Sequence, residues 1–200
     1  MPPYTVATEK KGYQRKFQDL CDQFIKKSNG SQFLKKHTEI VDNLLIKLWI
    51  DSNVSKKNTL IAVGGYGRSE LFPYSDVDIL VLNSEKSIEN DENISQFITK
   101  CWDIGLKIGH SVRNIAEVKE QFNADISTAT NLLEARLVYG SSELYLKFNS
   151  TINKIINIKK FFKEKITEQT IRHRKYRDSA YQLEPNIKES PGGLRDLQMI

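Results

Sequence analysis

The sequence predicts an α+β fold in which a small mixed sheet is preceded and followed by helices. Short apolar runs that suit buried strands occur only between residues 59 and 113. Apolar residues at helical spacing fill most of the chain on either side of that stretch. We therefore expect a helical extension over 1–58, an α/β-type core over 59–140, and a helical region over 141–200 that is truncated at its end.

The first two helices are predicted from periodicity and turn residues. Residues 8–28 are polar and charged with scattered apolar positions, and Asn29-Gly30 breaks the pattern. Ser31 suits the N-cap of a second helix, which runs to about Asp51 because its apolar residues recur at helical spacing. A polar loop then leads to the core.

The core contains three predicted strands, each a short run of apolar residues: 59–63, 77–82 and 107–113. A glycine-rich turn at 64–67 ends the first strand, and a short helix is expected from Arg68 to Leu71. Apolar residues between Ile94 and Trp102 lie at helical spacing and predict a helix between the second and third strands.

After about Asn114 the pattern is helical to the end, with breaks at 140–142 and 185–193. Glu134 and Arg136 fall on one of these helices, where we expect them to pack and to form salt bridges. The last helix, from Leu194, has no terminator, which suggests a longer protein.

Composition excludes several classes of protein. No apolar run approaches the roughly 20 residues of a membrane span. Cys21 and Cys101 lie far apart, which excludes a disulfide scaffold or a cysteine-ligated zinc site. We expect a soluble, cytoplasmic protein. Residues 154–177 carry nine Lys or Arg against two Glu, and an anionic partner or a solvated helix face would explain this stretch, the latter for most of the side chains.

Three features between residues 60 and 82 predict a site for phosphate and metal. Gly64 and Gly65 let the backbone approach a ligand closely, and Arg68 adds a forked positive charge. Asp76 and Asp78 lie two apart on a predicted strand, so both carboxylates should face the same side. Magnesium prefers such hard oxygen ligands and completes its shell with phosphate and water.

A strand, a Gly-Gly turn and an Asp-x-Asp strand in this order resemble the DNA-polymerase-β-like nucleotidyltransferase superfamily. Residues 62–80 resemble the active-site segment of the bacterial bifunctional PII uridylyltransferase/uridylyl-removing enzyme family. Three later stretches resemble the same family: 102–113, 124–136 and 186–198. The resemblance is patchy over the first 58 residues and strong from about Thr59 onward, which makes 59–140 the expected nucleotidyltransferase core.

The resemblance implies transfer of UMP from UTP to a tyrosine of the PII signalling protein in nitrogen regulation, with release of pyrophosphate. It implies that Asp76 and Asp78 bind catalytic Mg²⁺ and that the nucleotide is held by Gly64, Gly65, Arg68, Ser75, Lys188 and Arg195. UTP and the PII protein are the implied partners, with neither a membrane nor a nucleic acid expected. The family's uridylyl-removing hydrolase and ACT domains should lie beyond Ile200.

One departure concerns a third carboxylate, which many superfamily members carry on the strand at 107–113. That strand has no acid here, and Asp103 or Asp125 is a substitute whose position the sequence does not fix. His110 suits either a structural hydrogen bond or a polar role near the metals, and Arg113 suits either phosphate or an ion pair with Asp103 or a similar acid. We expect His37 and His173 to be surface or helix residues without a role.

Three rival functions stay open. One is the related adenylyltransferase acting on glutamine synthetase, which base choice would distinguish. Another is a non-catalytic nucleotide-binding module of the same fold, which the missing third carboxylate favours and the Asp76/Asp78 pair disfavours. A transferase acting on nucleic acid through residues 154–177 is the third, but the aromatic residues there are few for stacking.

Overall fold

The computed structural model describes residues 6–84, 92–176 and 186–199. The helices are α1 Val6–Lys27, α2 Gly30–Asp51, α3 Gly64–Gly67, α4 Glu92–Ile104, α5 Ile115–Ala124, α6 Ile126–Leu133, α7 Ser142–Ile155, α8 Ile158–Tyr176 and α9 Leu194–Leu197. The strands are β1 Thr59–Ala62, β2 Val77–Leu82, β3 Ile108–Arg113 and β4 Arg136–Gly140. By their contacts the residues form two units, Met1–Lys154 and Ile155–Ile200.

The four strands form one mixed sheet in the order β3-β2-β1-β4. Strand β1 pairs antiparallel with both of its neighbours, whereas β2 and β3 run parallel. Parallel strands need a crossover connection, and the segment between β2 and β3 supplies it with α4. The predicted α+β fold with a small mixed sheet and flanking helices is therefore confirmed.

The core of the first unit lies where α2 and α4 pack with β1 and β2. All four residues of β1 are buried, and so are all residues of β2 except Asp78. Trp49 of α2 and Phe97 of α4 meet edge to face with ring centroids 5.3 Å apart. Burying side chains of this size contributes about 1.5–3 kcal/mol each, which makes this packing the main support of the sheet.

Two local predictions are wrong at helix ends. Asn29, not Ser31, is the N-cap of α2, because its Oδ1 accepts a hydrogen bond from the Gln32 amide at 3.0 Å. The short helix expected from Arg68 to Leu71 lies instead within the glycine turn, Gly64–Gly67. It ends at Arg68 because Ser69 takes a left-handed conformation with φ 62°.

Strand β4 was expected to be part of a helical region, and that prediction is wrong. Pairing with β1 decides its conformation, since Leu137 and Tyr139 lie opposite β1 residues in antiparallel register. Gly140 ends the strand with φ +104°, and a Cβ atom there would lie 2.3 Å from the Asn58 carbonyl oxygen. The expected salt bridges of Glu134 and Arg136 are confirmed, although neither residue lies within a helix.

The second unit consists of α8 and the segment 186–199, which contains α9. Most basic side chains of α8 are exposed, and Lys160 and Lys165 pair with acids on the same helix. None of the described helices combines the length and apolar character of a membrane span. The division into 1–58, 59–140 and 141–200 stays a prediction.

Candidate nucleotide and metal site

The Asp78 carboxylate lies between two glycines that leave room for it. Asp78 of β2 is the direct register partner of Gly109 of β3, and a Cβ atom at position 109 would lie 2.2 Å from Asp78 Oδ1. On the other side a Cβ atom at Gly64, whose φ is +58°, would lie at an ordinary van der Waals distance of 3.7 Å from Asp78 Oδ2 and at a tight 3.3 Å from Asn131 Oδ1. The carboxylate therefore needs the absence of a side chain at Gly109, whereas Gly64 lies against its other side.

A pocket of about 270 Å³ opens beside Asp78. Strand β3 contributes Gly109, His110, Ser111 and Arg113, and helix α6 contributes Thr128, Asn131 and Leu132. Parallel pairing places Gly109, Ser111 and Arg113 on the sheet face of Asp78. The pocket wall is therefore polar at several points and carries a cation at the Arg113 end.

Asp76 and Ser75 lie in the exposed loop that precedes β2, which begins at Val77. The expectation that Asp76 lies on the strand is therefore wrong, and strand alternation does not set the direction of its side chain. Within 6–84, 92–176 and 186–199, no group of three His, Cys, Asp or Glu could hold a metal ion. One or two carboxylates with phosphate and water still suit Mg²⁺, and the half-buried Asp78 beside two glycines fits that donor set.

The proposed substitutes for a third carboxylate differ in their surroundings. Asp125 is the N-cap of α6 and accepts a hydrogen bond from the Thr128 amide at 2.6 Å. Hydrogen bonds from Thr128, first from its side chain, lower the pKa of Asp125. Its carboxylate therefore caps the N-terminus of α6. Asp103 is exposed near the end of α4.

Arg68 is held by two carboxylates. Its Nε donates to Glu70 at 2.8 Å, and Nη1 lies 2.6 Å from Glu134. The guanidinium lies against the glycine turn, since a Cβ atom at Gly65 would meet Arg68 Nη2 at an ordinary contact distance of 3.6 Å. The charge predicted to face phosphate is thus compensated by acids, and contact of Arg68 and Gly65 with a nucleotide stays a prediction.

Arg113 and His110 of β3 differ in their contacts near the pocket. Arg113 forms no ion pair with any residue of the described ranges, so the expected alternative of a pair with Asp103 is not formed. His110 is exposed on the edge strand, and its ring lies 5.6 Å from that of the exposed Trp102. Both residues line the pocket, but only Arg113 lies on the sheet face of Asp78, since His110 is the register partner of Ile79 and alternates to the opposite face.

The loop that leads to Asp76 is fixed by a histidine. His37 lies in a helix, α2, which was one of its two expected placements, but it is 3% exposed and does have a structural role. Its Nδ1 donates to the Leu71 carbonyl at 2.9 Å, and Nε2 accepts from the Tyr13 hydroxyl at 3.4 Å. Burial lowers the pKa of His37, which keeps the imidazole neutral.

In the second unit, the segment around α9 is organised by Asp196. The Asp196 carboxylate accepts hydrogen bonds from Gln169, Arg172, His173 and the Gly192 amide. Although burial opposes it, these four hydrogen bonds lower the pKa of Asp196. His173, for which no role was expected, therefore helps to fix the loop before α9 to α8.

The backbone amides near Lys188 and Arg195 already have acceptors. Those of Leu194 and Arg195 donate to the carbonyls of Ile187 and Lys188 at 2.9 and 3.1 Å. The Arg195 side chain lies 3.2 Å from Glu189, and Lys188 is exposed. A nucleotide contact by Lys188 or Arg195 stays a prediction.

Sequence reasoning overlooked two residues of this site, Gly109 and Asn131, and also Asp42, which lies outside the pocket and pairs with Arg136. An isolated glycine inside a strand pattern indicates a close approach of another group, so Gly109 carried a usable signal. Asn131 is followed by two leucines on α6, and a polar residue beside apolar ones is a weaker signal. Asp42 carried none, because its partner lies 94 residues away.

A family model and a solved structure are each similar to part of this chain. A family model described as GlnD PII-uridylyltransferase matches residues 160–200, which contain the Asp196 hydrogen bonds. A solved structure described as a toxin–antitoxin with AMP-PNP aligns at a TM-score of 0.37 with 16% identity, over 68% of this chain and 96% of that one. So low a score carries no argument about the fold.

Several curated proteins are similar over most of the chain. A bifunctional uridylyltransferase/uridylyl-removing enzyme of Nitrosospira multiformis is 43% identical across 92% of this chain, and one of Hydrogenovibrio crunogenus is 47% identical across 89%. One of Pseudoalteromonas translucida is 47% identical across 90%. The chain spans about a fifth of the length of these relatives, 21% in each case. On these identities the chain belongs to the family of the bifunctional uridylyltransferase/uridylyl-removing enzymes.

Proposed function

We propose that this chain is the nucleotidyltransferase part of an enzyme that transfers UMP from UTP to a tyrosine of the PII signalling protein and releases pyrophosphate. The observation that carries the proposal is the Asp78 carboxylate, held between Gly64 and Gly109 at the wall of a pocket. Relatives that are named uridylyltransferases support the choice of UMP as the transferred group. We place the reaction in the cytoplasm and expect neither a membrane nor a nucleic acid to take part.

In this proposal Asp78, together with Asp76 from the loop before β2, holds Mg²⁺. Bound Mg²⁺ would neutralise the triphosphate and make pyrophosphate a better leaving group. Gly64 and Gly65 allow the backbone to approach the phosphates, since neither carries a side chain. Arg113, which lines the pocket without an ion pair among the described residues, supplies positive charge to the same ligand.

Asn131 and Ser111 supply neutral polar groups to the pocket wall. Groups of this kind fix orientation by hydrogen bonds rather than by charge. Positioning of this sort is the main contribution that a protein makes to such a transfer, because the phosphoryl chemistry needs little covalent help.

A second function, nucleotide binding without catalysis, is favoured by one observation. In the part of the chain that the structure describes, no group of three His, Cys, Asp or Glu could hold a metal ion, so no third carboxylate joins Asp76 and Asp78. Such a module would bind UTP with magnesium but release no pyrophosphate.

The test is to incubate the chain with PII protein, UTP and MgCl₂ and to measure the intact mass of PII. The proposal expects an increase by one UMP, which is lost in Asp78→Asn and retained in Asp19→Asn, an exposed acid of α1. Transfer from ATP in place of UTP would point to an adenylyltransferase. Binding of UTP without transfer would favour the non-catalytic module.

A further inference from the structure

A half-buried charged network joins the glycine turn (Gly64–Gly67) to α2 and β4. The Tyr66 hydroxyl donates to Asp42 Oδ1 at 2.5 Å, and the Arg136 guanidinium donates to both Asp42 oxygens at 2.8 and 3.0 Å. Arg136 also donates to the Tyr66 carbonyl at 3.4 Å, and its Cζ lies 5.4 Å from the centroid of the Tyr66 ring. Tyr66 is therefore held by its hydroxyl, its ring and its backbone.

This anchoring matters because the rest of the turn has no side chains to hold it. Glycine has more conformational freedom than any other residue, so three glycines in four positions fix a backbone poorly on their own. Tyr66 is 1% exposed and is the one residue of the turn with a side chain beyond Cα. Burial, and then the Asp42 carboxylate, raises the pKa of Tyr66 well above its ordinary value, which keeps the hydroxyl a donor.

The anchored turn is the part of the backbone that lies beside the candidate site. A Cβ atom at Gly64, two residues before Tyr66, would lie 3.7 Å from Asp78 Oδ2 and 3.3 Å from Asn131 Oδ1. None of Asp42, Tyr66 and Arg136 lines the pocket. The Asp42 carboxylate also occupies the forked donors of Arg136, which leaves this arginine committed to the network.

We propose that Asp42, Tyr66 and Arg136 are positioning residues, which hold the Gly64–Gly65 backbone at the distance from Asp78 that a metal-bound triphosphate requires. The inference rests on the proposed function. It adds that the affinity of the site for phosphate groups depends on three side chains outside the pocket. Loss of the network should therefore weaken binding of the phosphate groups, which contact the turn, and should leave binding of the nucleoside part unchanged.

The first test is Tyr66→Phe, which removes one hydrogen bond and keeps the ring. Tyr145→Phe is the matched control, since the Tyr145 hydroxyl donates to the Ala135 backbone carbonyl at 3.0 Å and to none of the three network side chains. Affinities for UTP and for UMP in magnesium are measured by calorimetric titration. We expect Tyr66→Phe to weaken UTP binding about tenfold and UMP binding less than about twofold, with Tyr145→Phe affecting neither.

Arg136→Lys is the second variant, because it keeps the charge but loses the forked pair with Asp42. It should shift the ratio of UTP to UMP affinity in the same direction and by a smaller factor. An equal loss of UTP and UMP binding in these variants, or a lower melting temperature with an unchanged ratio, would mean that the network only stabilises the fold, and the proposal would be wrong.

A measurement without nucleotide separates this inference from the proposed function. The amides of Gly67 and Arg68 donate to the carbonyls of Val63 and Gly64 at 3.1 Å. Their hydrogen exchange should be faster in Tyr66→Phe than in the wild type and in Tyr145→Phe. A wild type that binds no UTP would overturn the proposed function alone, whereas unchanged exchange at these two amides would overturn the positioning role.

Discussion

Asp78 and Gly109 face each other across β2 and β3, and a Cβ atom at position 109 would lie 2.2 Å from Asp78 Oδ1. Real Cβ atoms essentially never come so close to an oxygen. The atom in the way belongs to the end of a side chain, so the carboxylate could turn aside while the backbone stays in place. The pair therefore ties the direction of the candidate metal ligand to the absence of a side chain on the neighbouring strand.

The first prediction follows from this pair. Gly109→Ala should keep the fold but displace the Asp78 carboxylate, because the added methyl group occupies its space. Magnesium-dependent UTP binding should fall at least about tenfold while the melting temperature changes by only a few degrees. Calorimetric titration measures the loss of UTP binding, and thermal melting measures the change in melting temperature.

Two other glycines serve as controls for that prediction. Gly12→Ala on α1 meets no atom within 4 Å and should leave binding unchanged. Gly67→Ala would place its methyl group 2.1 Å from the Glu134 carbonyl oxygen, which is backbone, and should destabilise the fold. Wild-type UTP binding by Gly109→Ala would contradict the assigned position of Asp78.

The second prediction compares two arginines. Arg113 lines the pocket, whereas Arg68 is held by Glu70 and Glu134. Replacing Arg113 by Gln should cost about 2 kcal/mol of UTP binding, the usual value of a hydrogen bond to a charged group. Replacing Arg68 by Gln should cost less, since its charge is already compensated. Titration of UTP in magnesium decides, and a larger loss for Arg68→Gln would favour the role that the sequence indicates for Arg68.

The third prediction concerns pH and His37. Burial lowers the pKa of His37 from its ordinary 6.5, so the unfolded chain takes up a proton that the folded chain resists. The associated stability is complete above pH 6.5 and falls as the pH is lowered through 6.5 toward the folded pKa. Melting temperatures between pH 8 and 5 should show this fall, and His37→Gln should reduce it. The same slope in His37→Gln would show that another group is responsible.

The fourth prediction tests Asp196 in the second unit. Asp196→Asn leaves Arg172, whose side chain is only 6% exposed, without its 2.7 Å ion pair. Removing one partner of such a pair should destabilise this unit by about 3 kcal/mol. Faster hydrogen exchange of the α8 amides would reveal it. Glu164→Gln removes only an exposed pair with Lys160 and should cost less than about 0.5 kcal/mol, so equal effects of the two variants would contradict the account.

Local patterns predicted most of the fold and part of the site. Strands β1, β2 and β3 and the long helices follow from apolar runs and periodicity, and Gly64 and Asp78 were recognised from residue type and spacing. Strand β4 could not be predicted, because its conformation depends on pairing with β1, some 75 residues earlier in the chain. A five-residue run of mixed polarity carries no periodicity that favours a strand over a helix.

The surroundings of the site depend on contacts between distant residues. Arg68 was correctly expected beside the glycine turn, but its partner Glu134 comes from the end of α6. The burial of His37 likewise depends on Tyr13 and the Leu71 carbonyl, which lie on other elements. Residue type identifies a chemical group, whereas its partners are set by tertiary structure.

The central claim is that the Asp78 pocket binds UTP with magnesium, and the most direct measurement is calorimetric titration of UTP, with ATP and CTP as comparisons. We expect magnesium-dependent binding that prefers UTP, is lost when Asp76 and Asp78 are both changed to Asn, and is retained in Asp19→Asn. Equal binding of UTP by the double variant, or binding that is independent of magnesium, would contradict it.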